Sequence, residues 1–189
     1  MDQINDMINK NSDDLISTIE NLVDVAHLST NQFLVKRTRF ALIPLLESII
    51  NQAKENVIYR NKKDVEIILD TKEDIEINTD KNFIQKIILH LIKNAVQYTE
   101  KGSIKIGYSI EKTNLILYVK DTGIGISKEK IDVIFSPFQQ ADENINIKVG
   151  GTGLGLTIVN GLIGILGGKI WVGSELKKGS TFYISLPLN

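Results

Sequence analysis

Apolar residues recur at helical spacing in two long stretches of the chain. Over residues 2–29 they form one stripe among acidic and amide side chains: Ile4, Ile8, Leu15, Ile19, Leu22 and Ala26. This spacing predicts an amphipathic helix whose stripe needs a partner surface, either in a helical bundle or on the rest of the same chain. A second long helix is predicted after Asp80, a residue suited to cap it. Its apolar face consists of Phe83, Ile84, Ile87, Ile88, Leu91, Ile92, Ala95 and Val96.

Shorter stretches rich in β-branched and aromatic residues predict strands. They are an irregular first strand with Phe33, Val35, Thr38 and Phe40, a hairpin-like pair at 64–70 and 75–78, a pair at 104–110 and 115–119, and a closing pair at 169–173 and 181–186. Further helices are predicted from Pro44 to about residue 53 and over 153–166, with short helical turns at 127–138. Because these elements do not alternate as βαβ units, we expect an α+β fold. Its predicted form is a two-layer α/β sandwich, a mixed sheet with helices on one face, preceded by a helical arm.

Composition narrows the class of protein without selecting one. A chain of 189 residues with 42% hydrophobic and 24% charged content suits one domain plus a short appendage, which we divide at 1–31 and 32–189. The net charge is −1 and the basic residues are scattered, so nucleic acid is not an expected partner. The absence of cysteine excludes disulfides and thiolate metal sites. Without an apolar run of about 20 residues, a soluble, cytoplasmic chain is expected.

Three short blocks carry the candidate chemistry. Asn94 lies late in the second apolar helix, residues 121–125 (DTGIG) follow a predicted strand, and residues 151–155 (GTGLG) open a predicted helix. Glycines at a helix start let backbone N–H groups approach phosphate oxygens, where the helix dipole also favours negative charge. Asp121 offers an acceptor for an exocyclic amine, and Asn94 offers an oxygen for a hard cation. Together the blocks predict a nucleotide pocket, and the polar stretch at about 139–152 is predicted to be its lid.

The order and spacing of these blocks resemble the catalytic and ATP-binding domain of sensor histidine kinases in two-component systems. That family shares its Bergerat-type ATP-binding fold with gyrase-type, Hsp90-type and MutL-type ATPases. The likeness runs from about Leu15 to Leu188, and residues 138–142 (FQQAD) together with 150–156 (GGTGLGL) most resemble hybrid kinases, in which a receiver domain follows. Residues 1–31 resemble the second helix of the dimerisation hairpin. The resemblance implies ATP and Mg²⁺ as cofactors.

The resemblance also implies roles for individual residues. Asn94 would hold the Mg²⁺ that bridges the phosphates, and Asp121 would accept a hydrogen bond from the adenine amino group, helped by Thr181. His90 and Lys148 join Asn94 as the catalytic candidates, His90 for contact with a phosphate or the incoming acceptor and Lys148 as a lid charge near the γ-phosphate. The other nucleotide contacts implied are Tyr98, Gly123, Gly125, Ile126, Phe138, Gly151, Thr152, Gly153, Leu154 and Gly155.

The chain departs from the family pattern at several positions. His90 stands where ATP-hydrolysing members place a general-base glutamate, which favours phosphoryl transfer over hydrolysis. Gln97 and Ile147 are neutral where many kinases carry a basic residue that contacts phosphate. Neither His27 nor His90 has the setting of the family's acceptor histidine. The resemblance therefore implies a kinase domain that transfers the γ-phosphoryl to a histidine on a helix absent from this chain, for relay to a response regulator or receiver domain.

Alternatives stay open at each level. Asn94 and Lys148 also suit solvated surface positions, His90 suits a satisfied histidine on a helix surface, and residues 121–123 suit an ordinary turn. A nucleotide-dependent interaction module without phosphotransfer is the alternative function, and a serine kinase acting on an anti-sigma antagonist is disfavoured by the hairpin-like first helix. The first helix is also a candidate homodimer surface, and the chain a candidate cytoplasmic part of a membrane-bound sensor.

Overall fold

The structure is a computed structural model that describes residues 2–30, 32–59, 62, 64–71, 73–139 and 152–188, with the side chains of 2–14 and 56–59 outside that description. Its helices are α1 (Asp2–Ser29), α2 (Leu42–Tyr59), α3 (Lys81–Tyr98), α4 (Lys128–Ile131) and α5 (Gly155–Ile165). Its strands are β1 (Arg37–Ala41), β2 (Val65–Leu69), β3 (Glu76–Asp80), β4 (Gly102–Glu111), β5 (Asn114–Asp121), β6 (Lys169–Glu175) and β7 (Gly179–Pro187).

A five-stranded mixed sheet forms one layer of the fold. Its strand order is β2-β4-β5-β7-β6, in which β2 runs parallel to β4 and all other neighbours are antiparallel. Strands β1 and β3 form a separate two-stranded antiparallel sheet. The predicted α+β class with a mixed sheet is confirmed.

The predicted hairpin at 64–70 and 75–78 is wrong. Strand β2 pairs in parallel with β4, and β3 pairs with β1, so the two segments belong to different sheets. The turn-prone residues between them suggested a hairpin. Strand pairing is instead determined by which face of each strand is buried. Ile67 is buried in the main sheet beside Ile104, whereas Ile77 is buried opposite Phe40 of β1.

The first strand is shorter than predicted. It begins at Arg37, and Phe33 and Val35 precede it as partly buried side chains packed on the core. Asp80 links this region to α3, because its carboxylate accepts the Lys36 N–H at 2.7 Å and also caps the helix through Asn82 and Phe83. The predicted N-cap is therefore confirmed, together with the second long helix.

Helices cover one face of the main sheet. The apolar side of α3 is buried against β5 and α5, and the apolar positions predicted for it are all buried. The opposite face of the sheet carries an aromatic row in which Trp171 stacks on Tyr183 at 5.4 Å and Tyr118 follows at 6.5 Å. Since strand residues alternate between faces, this row and the core belong to different sides of the same strands.

The C-terminal half of α1 is docked on the helical layer. The Lys86 ammonium of α3 lies 2.6 and 2.8 Å from the two carboxylate oxygens of Asp24, and Leu28 packs over Gly161 of α5. The preceding apolar positions of α1 with described side chains are about half exposed or more: Leu15, Ile16, Ile19, Leu22 and Val23. Ile4 and Ile8 of the predicted stripe lie outside the described side chains. Within the described parts of the chain, no helix is long and apolar enough to cross a membrane.

Candidate nucleotide-binding site

Three predicted site residues lie one turn apart on α3. His90, Asn94 and Tyr98 are all partly buried and follow the i, i+4 spacing that places side chains along one side of a helix. Asn94 makes no side-chain hydrogen bond to the described residues, so its carboxamide oxygen is open to a ligand. Among those same residues, no three His, Cys, Asp or Glu side chains cluster. The Asn94 oxygen would suit Mg²⁺, a cation that favours few protein oxygens together with phosphate and water oxygens.

Asp121 ends β5 as a buried carboxylate with a fixed orientation. Its Oδ1 accepts the backbone N–H of Gly123 at 2.8 Å and that of Ser180 at 3.2 Å. Burial raises the pKa of Asp121, and the two backbone hydrogen bonds oppose that rise. Both of its hydrogen bonds to described residues use Oδ1, so Oδ2 remains as an acceptor for an exocyclic amino group.

The first glycine loop is tied to the end of α3. Ile124 N–H donates to the Tyr98 carbonyl at 3.1 Å, and the Lys62 ammonium donates to the carbonyls of Gln97 and Thr99 at 3.2 and 2.7 Å. A cation at a helix C-terminus satisfies carbonyls that have no intrahelical partner. The helix end that carries Tyr98 is therefore fixed relative to the loop.

Two glycines allow this loop to pass close to its neighbours. A Cβ at Gly123 would lie 2.4 Å from the Tyr98 carbonyl oxygen. Gly125 has a φ of +73°, and a Cβ there would lie 2.1 Å from the Glu175 carbonyl oxygen. Beyond it, Ile126 N–H donates to Ser174 Oγ at 2.8 Å. The loop is thus held between α3 and the β6–β7 hairpin. It carries three of the predicted nucleotide contacts: Gly123, Gly125 and Ile126.

Thr181 does not lie beside Asp121. It pairs with Lys120 across β5 and β7, so its side chain shares the face of Lys120 rather than that of Asp121. The residue that meets Asp121 is Ser180, whose N–H reaches the carboxylate and whose side chain is buried beside Ser174. Ser180 is not among the site residues predicted from the sequence. The apolar pattern of β7 could have identified it, because alternate strand residues share a face and Ser180 falls in the same series as the buried Phe182, Ile184 and Leu186.

The second glycine block opens α5, which begins at Gly155. Thr152 and Gly153 precede it, and a Cβ at Gly153 would lie 3.0 Å from the Phe138 backbone. The Leu154 side chain is fully buried in the core, so any nucleotide contact of this residue would use its backbone. Phe138 is 68% exposed beside this block. Gly151, Lys148 and nearly all of the predicted lid lie outside the described residues.

His90 connects the second glycine block to α1. Its Nδ1 lies 3.3 Å from the position a Cβ would take at Gly155. Burial, the largest cause, and the positive charges of Lys93 and Lys86 together lower its pKa to about 4, against the opposing effect of the Asp24 carboxylate. The imidazole is therefore neutral near pH 7, where it supplies a hydrogen-bond donor or acceptor but no positive charge.

A separate cavity of about 420 Å³ lies between α2 and β2, where it is lined by Glu47, Ile50, Asn51, Lys54, Ile67 and Leu69. None of the three sequence blocks contributes to its lining. It is distinct from the candidate site.

The fold and the site define a class: an α/β sandwich that combines an asparagine on α3, a buried aspartate at the end of β5 and a glycine-containing loop after it. Residues 79–189 match the family described as histidine kinase-, DNA gyrase B- and HSP90-like ATPase. The chain belongs to this family. Within the family, it is an ATP-binding domain of the histidine kinase type, as the resemblance implied.

Known proteins similar to this chain include hybrid signalling proteins. It is 36% identical over 194 residues to the autoinducer 2 sensor kinase/phosphatase LuxQ of Vibrio vulnificus (strain CMCP6), covering 97% of this chain and 22% of LuxQ. It is 32% identical over 196 residues to the hybrid signal transduction protein dokA of Dictyostelium discoideum, covering 97% of this chain and 12% of dokA. The crystal structure of full-length ShkA in complex with AMPPNP aligns with a TM-score of 0.77 and 27% identity, over 95% of this chain and 37% of ShkA. The chain thus spans about a fifth of the length of LuxQ.

Proposed function

We propose that this chain binds Mg²⁺ and ATP and positions the γ-phosphoryl group for transfer to a histidine on a helix outside residues 1–189. The observation that carries the proposal is the orientation of Asp121, whose Oδ1 is held by two backbone N–H groups while Oδ2 is left for the base. An acceptor in that place favours adenine, because guanine presents a carbonyl oxygen where adenine presents an amine.

The remaining roles follow from the positions around that carboxylate. Asn94 would hold Mg²⁺, Tyr98 would flank the nucleotide, and the backbone at the start of α5 would face the phosphates. When bound, Mg²⁺ neutralises charge on the phosphate oxygens. Lys148 is proposed as a further positive charge near the γ-phosphate. Catalysis by this arrangement would consist of positioning and charge neutralisation.

His27 is an exposed residue at the junction of α1 and the domain. Its ring makes an edge-to-face contact with Phe33 at 5.6 Å, and Phe33 in turn contacts Phe83 at 5.4 Å. His27 is thereby anchored at the junction of α1 and the domain. The exposed apolar side chains of α1 offer a surface for the second helix of a hairpin, or for a homodimer.

From that histidine, the phosphoryl group would pass to a response regulator or receiver domain. We also propose that the protein is cytoplasmic. The alternative, an interaction module without phosphotransfer, is not favoured by membership in a family of ATPases and kinases. It differs from the proposed function in one measurable respect, since it predicts ATP binding without any transfer of label.

The test uses γ-labelled ATP, Mg²⁺ and a separately purified kinase hairpin with an exposed acceptor histidine. We expect acid-labile label on the hairpin, and none when its histidine is replaced by glutamine or when Asn94→Ala replaces the wild-type chain. Label on the chain itself would contradict the proposal, because the acceptor would then lie within residues 1–189. ATP binding without label on either protein would support the interaction module instead.

A further inference from the structure

Strand β6 forms one edge of the five-stranded sheet. It pairs with β7 along its whole length, from Lys169 to Glu175, without a bulge. In the described part of the chain, no strand pairs with its other side. An edge of this kind can pair with a strand of another chain, and proteins often block it with proline or a bulge. Strand β6 contains neither.

Gly173 lies within this edge strand although the fold itself does not require a glycine there. Its φ is outside the left-handed region, and among the described residues a Cβ at this position would meet only Tyr183, at 3.9 Å, which is an ordinary van der Waals distance. A glycine inside a strand weakens the strand and often marks a place where another group approaches closely. An approach from outside the chain would account for Gly173.

The sequence of β6 is complementary to itself when two copies run antiparallel. Residues 169–175 read KIWVGSE, and the central residue, Val172, can lie opposite Val172 of a second copy. Directly opposed residues of an antiparallel pair share one face of the sheet. The opposed pairs in this register are Lys169 with Glu175, Ile170 with Ser174, and Trp171 with Gly173. Two-fold symmetry forms each of these pairs twice.

Trp171 has the position and exposure that this pairing needs. Its indole is 43% exposed and stacks on Tyr183 at 5.4 Å, at the end of the aromatic row on the open face of the sheet. Across the edge, the indole would cover the backbone of Gly173 of the second copy. Aromatic side chains shield glycines at sheet edges in this way, so the aromatic row of each copy would continue onto the other.

The charges at the two ends of β6 are also complementary. Lys169 is exposed and forms no ion pair with the described residues. Glu175 lies 2.6 Å from the Lys178 ammonium, but both side chains are at least 65% exposed. An exposed pair of this kind contributes little to stability, so Glu175 can exchange Lys178 for a lysine of a second copy. Opposite charges directly across two strands stabilise their pairing.

We propose that β6 is a homotypic interaction surface, at which it pairs antiparallel with β6 of a second copy of this chain and is centred on Val172. The two five-stranded sheets would then be continuous. This surface is separate from the exposed apolar side chains of α1, and its use does not depend on nucleotide binding. One strand per copy is a small interface, so we expect a weak dimer that becomes populated when other contacts hold two chains together.

The first test is sedimentation velocity of the full chain at concentrations up to about 1 mM, which detects even weak association. All variants carry Ile19→Ser and Leu22→Ser, which remove association through α1. Gly173→Thr should raise the dissociation constant of the dimer by about tenfold or more, because its side chain obstructs the indole of the second copy. Its thermal stability should equal or exceed that of the parent, since threonine is favoured over glycine in strands. Ser109→Thr on β4 is the matched control and should change neither quantity.

A charge exchange tests the register. Lys169→Glu and Glu175→Lys should each raise the dissociation constant by about tenfold, because two opposite-charge pairs become like-charge pairs. The double variant restores both pairs and should return to within about twofold of the parent. A double variant that associates no better than the single variants would contradict the antiparallel register.

Cross-linking gives a direct readout because the chain has no cysteine. In the proposed dimer, Val172→Cys places two cysteines opposite each other, with Cα atoms about 4.5–5.5 Å apart, which a disulfide can bridge. Mild oxidation should therefore yield a covalent dimer far faster than it does for Ile110→Cys, an exposed control position on β4. A parent chain that stays monomeric at every concentration would overturn the inference, as would equal association in Gly173→Thr. Neither result would bear on ATP binding.

Discussion

Lys86 on α3 and Asp24 on α1 form an ion pair in which both carboxylate oxygens lie within 2.8 Å of the ammonium. The Asp24 side chain is only 10% exposed, whereas that of Lys86 is 40% exposed. The pair lies one helical turn from His90, so it connects the arm helix to the side of α3 that carries the candidate site. Because the carboxylate is buried, we expect this pair to contribute more to stability than a solvent-exposed ion pair does.

Replacement of Lys86 by methionine should destabilise the protein. The substitution keeps most of the aliphatic stem but leaves the Asp24 carboxylate buried without its partner. We expect the free energy of unfolding to fall by about 1–3 kcal/mol, below the range for fully buried pairs because Lys86 is partly solvated. Urea denaturation of the full chain measures this change.

The exposed pair of Lys101 and Asp64 provides the matched control. Its atoms are 3.5 Å apart and both side chains are more than 60% exposed, so Lys101→Met should change stability by less than about 0.5 kcal/mol. Asp24→Asn combined with Lys86→Met should recover part of the loss. Equal losses of unfolding free energy in Lys86→Met and Lys101→Met would show that the Asp24 pair stabilises the protein no more than an exposed pair does.

His90 should make stability depend on pH between about 4 and 6.5. The folded-state pKa is lowered to about 4, mainly by burial, whereas an unfolded histidine titrates near 6.5. Within that window the unfolded chain binds a proton that the folded chain does not. Stability is therefore complete above about pH 6.5 and falls as the pH falls toward 4, by up to about 3 kcal/mol.

Carboxylates also lose stability in acid, so the measurement needs a reference. Unfolding free energies of wild type and His90→Gln at pH 7 and pH 4.5 isolate the contribution of the imidazole. The difference between the two pH values should be smaller in His90→Gln. An NMR titration in which the His90 ring protonates near pH 6.5 would contradict the predicted shift.

Local signals in the sequence located the long helices correctly. Asp80 caps α3 as expected, because a cap and an apolar stripe are properties of adjacent residues. Strand pairing was less predictable. The sequence around 71–74 has the composition of a turn, yet β2 and β3 find partners more than 30 residues away, which local propensity does not encode.

The candidate site shows the same division between local and distant information. Asp121 and Gly123 stand together in the sequence and stand together in the structure. Ser180 was missed because a shift of one residue in a strand exchanges its two faces, and Thr181 was preferred.

Asp121→Asn should lose nucleotide affinity without loss of the fold. An asparagine oxygen can still accept the N–H groups of Gly123 and Ser180, so thermal melting should shift by no more than a few degrees. Its NH₂ group would face the amino group of adenine as a second donor, and we expect ATP affinity to fall by about tenfold or more. Calorimetric titration with Mg²⁺–ATP tests this.

Asp70→Asn is the control for the removal of one negative charge, because Asp70 accepts a hydrogen bond from Tyr118 on the other face of the sheet. Its ATP affinity should equal that of wild type. If Asp121→Asn also binds ATP normally, the carboxylate does not read the base.

Gly161 and Gly164 of α5 should respond differently to alanine. Alanine in a helix interior is favoured over glycine by about 1 kcal/mol, and a Cβ at Gly164 meets nothing within 4 Å. A Cβ at Gly161 would lie 2.6 Å from a methyl group of Leu28, so the arm must shift to admit it. Urea denaturation should therefore show a gain for Gly164→Ala and a smaller gain, or a loss, for Gly161→Ala. In a Leu28→Ala background this difference should disappear, and its persistence there would mean that α1 is not what opposes a side chain at Gly161.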